Sequence, residues 1–167
     1  MSIILFCLIL FPACGYKSGS SRSLDTGRIG SLAIPVFENS SFELSAGTVF
    51  TSSVRNVFAR RGDFQLKQEG KASYILRGRV VSIEEEAAIL RSAASSSRVG
   101  MYEMKAEIEL KLFDSTQTLI SSTRIIDKID FMGGQYPSDI KHNREAAMMQ
   151  LAENMMIRAH NKLFEGF

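Results

Sequence analysis

Cys14 is the residue whose position most directly indicates a covalent chemistry. It lies between Ala13 and Gly15, and residues 3–11 before it form a continuous apolar run. A stable bilayer-spanning helix needs about 20 predominantly apolar residues, so this run is too short to span a membrane. A short apolar run that ends in a small residue is typical of a secretory signal and its cleavage site. With the cysteine next, the pattern resembles a bacterial lipobox and predicts that Cys14 is lipidated and becomes the mature N-terminus.

Two features depart from that pattern and define an alternative. No Lys or Arg precedes the apolar run, and Phe11 stands where a lipobox usually carries Leu. The alternative is a buried N-terminal strand with an ordinary core cysteine. If residues 1–13 are instead a signal peptide, Cys7 is removed with them and the exported protein has neither a free thiol nor a disulfide. Gly15, rather than Asp, after the cysteine predicts sorting to the outer membrane.

The remaining residues that carry chemistry argue against an enzyme. The two histidines, His142 and His160, lie eighteen positions apart on one predicted helix, about five turns, so they cannot share a metal. The sequence contains no Gly-x-Ser-x-Gly, no Gly-rich phosphate loop and no His-Glu-x-x-His. A two-carboxylate glycosidase site stays open as an alternative. The net charge of +2 is small and dispersed, which does not indicate nucleic-acid binding. The sequence therefore predicts no catalytic residues, no metal and no cofactor.

The elements that follow Cys14 predict one folded domain on a tether. Residues 14–30 are rich in Ser and Gly and predict a flexible tether, and residues 31–167 are long enough for a single domain with its own core. Apolar alternation is clearest over 102–113, which predicts a strand with one buried face. The other predicted strands cover 31–37, 64–67, 73–84 and 119–131. The predicted helices cover 42–60, with Gly62 placed to end the helix, and 138–164. The second helix carries one apolar stripe, formed by Met148, Leu151, Ala152, Met155, Ala159 and Leu163. This order predicts an α+β two-layer sandwich, with two helices packed on one face of a mostly antiparallel sheet of four to five strands.

Several short segments, taken in this order, resemble the LptE family of lipopolysaccharide-assembly lipoproteins. They are Cys14-Gly15-Tyr16, residues 34–39 (Ile-Pro-Val-Phe-Glu-Asn), the amphipathic helix, and the 74–81 strand with Gly78. The resemblance implies an outer-membrane lipoprotein whose domain lies on the periplasmic side or inside the lumen of a partner β-barrel, the LptD-type lipopolysaccharide translocon. Such a protein plugs the barrel, helps it assemble and contacts lipopolysaccharide.

The same resemblance implies particular site residues. Cys14 matches the lipidated cysteine, and Arg91 and Lys141 match two basic positions that contact lipopolysaccharide, with Arg98 as an alternative to Arg91 because the loop that carries them is long. The other interpretation of these cations is ordinary solvated charge. A second functional hypothesis remains: residues 34–39 also resemble the opening strand of lipoproteins that regulate cell-wall synthesis or build secretion pores, although the four consecutive strands argue against those folds.

Overall fold

The computed structural model describes residues 30–88, 100–134 and 136–164. These residues form an α+β fold of six strands and two helices, which confirms the predicted class. A single 3-10 turn at Glu69–Lys71 also precedes the fourth strand. The elements in chain order are β1 (Gly30–Ala33), β2 (Glu38–Asn39), α1 (Ala46–Arg61), β3 (Phe64–Leu66), β4 (Tyr74–Ala88), β5 (Met101–Asp114), β6 (Leu119–Met132) and α2 (Pro137–Phe164).

The sheet is mostly antiparallel, as predicted, but it is mixed, and it has six strands where four to five were predicted. Its strand order is β3-β1-β4-β5-β6, with β2 beside β4. The long strands β4, β5 and β6 are antiparallel neighbours, whereas β1 runs parallel to both β3 and β4, and β2 runs parallel to β4. The reason lies in the connection: α1 carries the chain from one end of the sheet back to the other before β3 begins, and such a crossover joins parallel strands.

The buried face of the sheet is the one that the alternation in β5 predicts. Its inward side chains are completely buried: Met104, Ala106, Ile108, Leu110 and Leu112. Both helices pack on this face and complete one continuous core. The apolar stripe predicted for α2 is buried at each predicted position, namely Met148, Leu151, Ala152, Met155, Ala159 and Leu163. Two helices on one face of the sheet are thereby confirmed.

The strand predicted over 31–37 is shorter in the structure. β1 ends at Ala33, residues 34–37 form a break that includes Pro35, and the two-residue strand β2 follows at Glu38–Asn39. The break lets Phe37 leave the sheet plane and lay its ring against Gly78 on β4. A Cβ atom on Gly78 would lie 2.4 Å from Cζ of that ring, so the glycine is needed for close approach. The register between β4 and β5 shifts two residues beyond Gly78, between Val80 and Ser82.

The helix predicted from about residue 42 begins at Ala46, because residues 40–45 form a loop instead. Its predicted end is confirmed. Gly62 has φ of 73°, and its N–H donates to the Phe58 carbonyl at 3.1 Å.

Candidate functional site

The outer face of β4, β5 and β6, which faces away from the helices, is covered by charged side chains. Neighbouring strands are joined on this face by three ion pairs: Arg124 with Glu107, Lys128 with Glu103 (Nζ to Oε2, 2.7 Å) and Lys105 with Glu84 (Nζ to Oε2, 3.7 Å). The two lysines lie directly opposite each other in the β5–β6 register. Each is therefore drawn toward a carboxylate on a neighbouring strand instead of facing the other lysine.

Negative charge gathers at the end of this face where β4 ends. Glu86, Glu103 and Asp130 lie side by side across the three strands. The hydrogen bond with Glu103 raises the pKa of Lys128, and the charges of Glu103, Asp130 and Glu86 raise it further. Lys128 therefore interacts with three carboxylates, and this end of the outer face is acidic.

Two arginines of β4 point to the same outer face but are already engaged. Arg77 lies 3.0 Å from Glu69, and its guanidinium carbon lies 5.4 Å from the centre of the Phe113 ring. Arg79 lies 2.8 Å from Glu38. Because both are exposed, these pairs contribute little to stability and mainly set the pattern of charge.

A short loop between β2 and α1 presents two apolar side chains to solvent. Phe42 and Leu44, which we call the apolar knob, have relative exposures of 103% and 94%. The loop is held by Asn39, whose Nδ2 donates to the Glu43 carbonyl at 2.7 Å and whose Oδ1 accepts from Ser41 N at 3.0 Å and Ser41 Oγ at 2.7 Å. Large apolar groups held exposed by a fixed backbone are typical of anchors for a binding partner.

Arg144 ties this loop to the rest of the molecule. Its Nη2 lies 2.6 Å from Glu43 in the loop and 2.6 Å from Glu85 near the end of β4. The hydrogen bond with Glu85 raises the pKa of Arg144. A hydrogen bond from Ser45, followed by one from Arg144, lowers the pKa of Glu43. Sequence reasoning missed this cluster, because Glu43 and Arg144 are 101 residues apart and nothing local in the sequence joins them.

The residues implied as ligand-binding fall in different parts of the chain. Cys14, Arg91 and Arg98 lie outside the described residues. Lys141 lies in the first turns of α2, three positions before Arg144, so it belongs to the end of the molecule where β4 ends. Its side chain is 78% exposed, and its Nζ is 3.9 Å from Glu145. The structure thus places one of the predicted cations on an accessible surface.

His160 lies inside the core, far from a metal-binding arrangement. It packs against Phe58 at 4.9 Å and Phe164 at 5.3 Å between ring centres, and its Nε2 lies 2.8 Å from Asp63 Oδ2. Burial lowers the pKa of His160, and the charge of Arg61 lowers it further against the opposing effect of Asp63. In the described ranges, no three His, Cys, Asp or Glu side chains come together as metal ligands.

Several concavities lie outside the core. One of about 540 Å³ lies between β1, β3 and α1, where the Arg55 guanidinium donates to the Ile34 carbonyl at 2.5 and 3.1 Å. Another, of about 290 Å³, lies between α1 and Glu153 of α2. A smaller groove of about 210 Å³ lies between β6 and the first half of α2. Across residues 30–88, 100–134 and 136–164, no helix is long and apolar enough to cross a membrane.

Comparison with solved structures shows the fold. A PelC dodecamer from Paraburkholderia phytofirmans has a TM-score of 0.52 at 15% identity and covers 80% of this chain and 87% of its own. A Helicobacter pylori protein described as a neuraminyllactose-binding hemagglutinin homolog also has a TM-score of 0.52, at 19% identity, and covers 81% of this chain and 84% of its own. A Caulobacter crescentus protein described as a lipoprotein has a TM-score of 0.50 at 12% identity, with 77% and 87% covered. At these identities the likeness extends to architecture alone.

No curated protein sequence matches the chain. The profile of the LptE family, described as lipopolysaccharide-assembly, matches residues 29–163, a range that includes every described strand and all but the last residue of α2. Residues 34–39, the first helix and the 74–81 strand noted in the sequence lie inside the matched range, whereas Cys14-Gly15-Tyr16 lies before it. The match covers almost the whole folded domain, and the chain belongs to the LptE family.

Proposed function

We propose that this protein is a lipid-anchored outer-membrane protein that plugs an LptD-type β-barrel, helps that barrel assemble, and contacts lipopolysaccharide during its delivery to the outer leaflet. The observation that carries the proposal is the family match over residues 29–163. Cys14 supplies the anchor, and residues 14–30 supply the tether. The role is that of an assembly and binding partner, and it requires no catalytic residue.

The outer face of the sheet supports a location inside a barrel. The lumen of a membrane β-barrel is polar, so a plug needs a charged and well hydrated surface rather than an apolar one. The ion pairs Arg124–Glu107 and Lys128–Glu103 cover this face with alternating charge. Such a surface makes many polar contacts with a lumen wall without burying unpaired charge, which would be costly.

The apolar knob supports a specific protein contact. Transferring an exposed Phe or Leu side chain to an apolar environment is worth about 1.5–3 kcal/mol each. The loop that carries Phe42 and Leu44 is already ordered by Asn39 and by the Glu43–Arg144 contact, so little conformational entropy is lost when a partner covers them. These two side chains are suited to anchor the chain against the barrel partner.

Lys141, together with Arg91 or Arg98, is proposed to contact the ligand. Lipopolysaccharide presents phosphates beside its acyl chains, and a cation within hydrogen-bond distance of phosphate oxygens binds strongly. Lys141 is available for this role, because its ammonium is well exposed and its nearest carboxylate, Glu145, is at 3.9 Å. Arg144, by comparison, pairs with two glutamates and joins the loop to β4.

The test is co-expression of the full-length protein with the barrel, followed by purification through a tag on this chain. Wild type should recover a large β-barrel and bind lipopolysaccharide. The double charge reversal Arg91→Asp with Lys141→Asp should still recover the barrel, because the outer face and the knob are intact, and should bind lipopolysaccharide several-fold more weakly.

A matched control is Lys67→Asp with Lys71→Asp, which reverses two exposed cations near β3, at the other end of the molecule. It should leave both readouts unchanged. Recovery of a peptidoglycan synthase or of a secretion-pore component in place of a barrel would overturn the proposed role. If the Arg91→Asp/Lys141→Asp variant bound lipopolysaccharide as strongly as wild type does, the proposed role would be limited to plugging the barrel and helping it assemble.

A further inference from the structure

Gly30, where β1 begins and the predicted tether ends, lies at one end of the molecule. It pairs with Phe64 of β3, whose ring lies 6.1 Å from that of Tyr74 on β4 and 4.9 Å from that of Phe164 on α2, measured between ring centres. Tyr74 in turn pairs with Asp114, the last residue of β5. The last turns of both helices and the hairpin that follows β5 therefore lie beside Gly30, and we call this region the tether end.

Exposed cations occupy the last turns of both helices at the tether end. Arg61 is the last residue of α1, and its charge adds to burial in lowering the pKa of His160 on α2. Lys162 follows His160 by two residues and is exposed. Among the described residues, no carboxylate forms an ion pair with Arg61 or Lys162. Both charges are therefore available to an anionic partner.

Two further exposed cations at the tether end belong to other elements. Lys71 ends the 3-10 turn just before β4, and Lys111 lies three residues before Asp114 on β5. Neither forms an ion pair with a carboxylate in the part of the chain that the structure describes. Cations favour the last turn of a helix because they offset the negative end of its dipole, which accounts for Arg61 and Lys162 but not for Lys71 and Lys111. What the four cations share is a position in the molecule.

The two ends of the molecule differ in their free charge. Two carboxylates at the tether end already have partners: Asp63 lies 2.8 Å from His160, and Asp114 accepts from the N–H groups of Thr116 and Thr118 at 2.8 and 2.9 Å. At the opposite end, where β4 ends, the described lysines and arginine each lie within 4 Å of a glutamate, namely Lys105, Lys128, Lys141 and Arg144. The tether end is thus basic and the opposite end is not.

The length of the tether determines which end can reach the bilayer that holds the anchor. A flexible chain from Cys14 to Gly30 has a root-mean-square length of about 20–25 Å. β5 has 14 residues and is about 45 Å long, so the opposite end lies farther from the anchor by that amount. Charges in solution act over about 8–10 Å at physiological ionic strength. The cations of the tether end are therefore the described ones that come within range of lipid headgroups.

We propose that the tether end is a docking surface for the anionic phospholipid headgroups of the membrane that holds the anchor. Docking orients the domain, so that the apolar knob and Lys141 point away from that membrane. Leu119 and Ile120, at the start of β6, are 50% and 39% exposed at the same end, and they add apolar area that can enter the interface. The inference rests on the proposed function for the lipid anchor at Cys14, and this surface is separate from the lipopolysaccharide contact proposed at Lys141.

The test uses the exported chain, residues 14–167, with Cys14→Ser so that no anchor contributes, and measures its partitioning onto vesicles by sedimentation. The chain should bind phosphatidylcholine vesicles that contain phosphatidylglycerol, more weakly as salt is added, and should not bind pure phosphatidylcholine vesicles. A cation near an anionic surface strengthens binding about fivefold, so Arg61→Gln with Lys162→Gln should lower the partition coefficient about tenfold or more.

A matched control removes the same charge from the outer face of the sheet. Lys105→Gln with Lys128→Gln should change the partition coefficient by less than about twofold, because these lysines lie toward the opposite end and are already paired with glutamates. Circular dichroism of both double variants should match wild type, since all four substituted side chains are exposed.

A second measurement tests the orientation. The exported chain with Cys14→Ser has no cysteine, so Asn161→Cys at the tether end and Ser138→Cys in the first turn of α2 each provide one exposed labelling site. A lipid with a spin-labelled headgroup should quench a fluorophore at residue 161 and not one at residue 138. Equal binding to both kinds of vesicle, equal losses in the two glutamine pairs, or equal quenching at the two sites would each overturn the proposal. Because the chain tested carries neither anchor nor barrel, these outcomes are independent of lipid labelling of Cys14 and of barrel recovery, which test the proposed function.

Discussion

The two faces of β5 differ in what a change of side chain would cost. On the inner face Leu110 and its neighbours are completely buried beneath the helices. On the outer face Glu103 and Lys105 alternate with them, each paired with a residue of a neighbouring strand. Burying a large apolar side chain contributes about 1.5–3 kcal/mol, whereas an exposed ion pair contributes about 0–1 kcal/mol. The inner face therefore holds the fold together, and the outer face is free to serve recognition.

This difference explains where the proposed contacts lie. The apolar knob and Lys141 are both outside the core, on a loop and in the first two turns of α2. Each can be altered without opening the core. In β5 the even-numbered residues from Met104 to Leu112 thus hold the fold together, and the odd-numbered residues form the outer surface.

The largest effect is expected where the two faces are compared at adjacent residues. Leu110→Lys places a charge in a completely buried position of β5, and the free energy of unfolding should fall by more than about 4 kcal/mol. Glu109→Lys, one residue away on the outer face, should change it by about 1 kcal/mol or less. Thermal melts of both variants check this. Equal losses would mean that the register assigned to β5 is wrong.

A smaller effect is expected where Phe37 closes the inner face over β4. Gly78→Ala places a methyl group where the ring lies, because the Cβ position is 2.4 Å from the ring. Overpacking of this kind costs about 1–3 kcal/mol. Denaturant titrations should show the loss, and Phe37→Leu in the same chain should recover part of it, so that the double variant loses less than the sum of the single changes. Strictly additive losses would contradict the contact.

The smallest effect concerns His160, the buried histidine on the inner side of α2. Burial lowers its pKa from 6.5, so the unfolded chain binds a proton at higher pH than the folded one. Stability is therefore complete above about pH 6.5 and decreases as the pH falls toward the folded pKa. Urea titrations of wild type and His160→Phe at about pH 7.5 and about pH 5.5 should show a smaller decrease in the variant. His142→Gln, at an exposed position, should behave as wild type; an equal decrease in all three proteins would exclude His160 as the source.

Much of this fold could be predicted from local patterns. Alternation over 102–113 identified β5 and its buried face, and the apolar stripe of α2 was correct at each predicted position. Gly62 ended α1 as its position suggested. These features depend on the period of neighbouring side chains or on the backbone freedom of one residue, and both are visible in the sequence.

Other features depended on contacts between distant residues, which no local pattern records. The parallel pairing of β1 with β3 and β4 follows from the path of the crossover, and the loop at 40–45 replaces a first helical turn because Asn39 binds its backbone. The Glu43–Arg144–Glu85 cluster joins three elements far apart in the chain. The sequence by itself determined the elements, their buried faces and the family. Only the tertiary structure decided that Phe42 and Leu44 are exposed, because exposure depends on what the rest of the chain leaves uncovered.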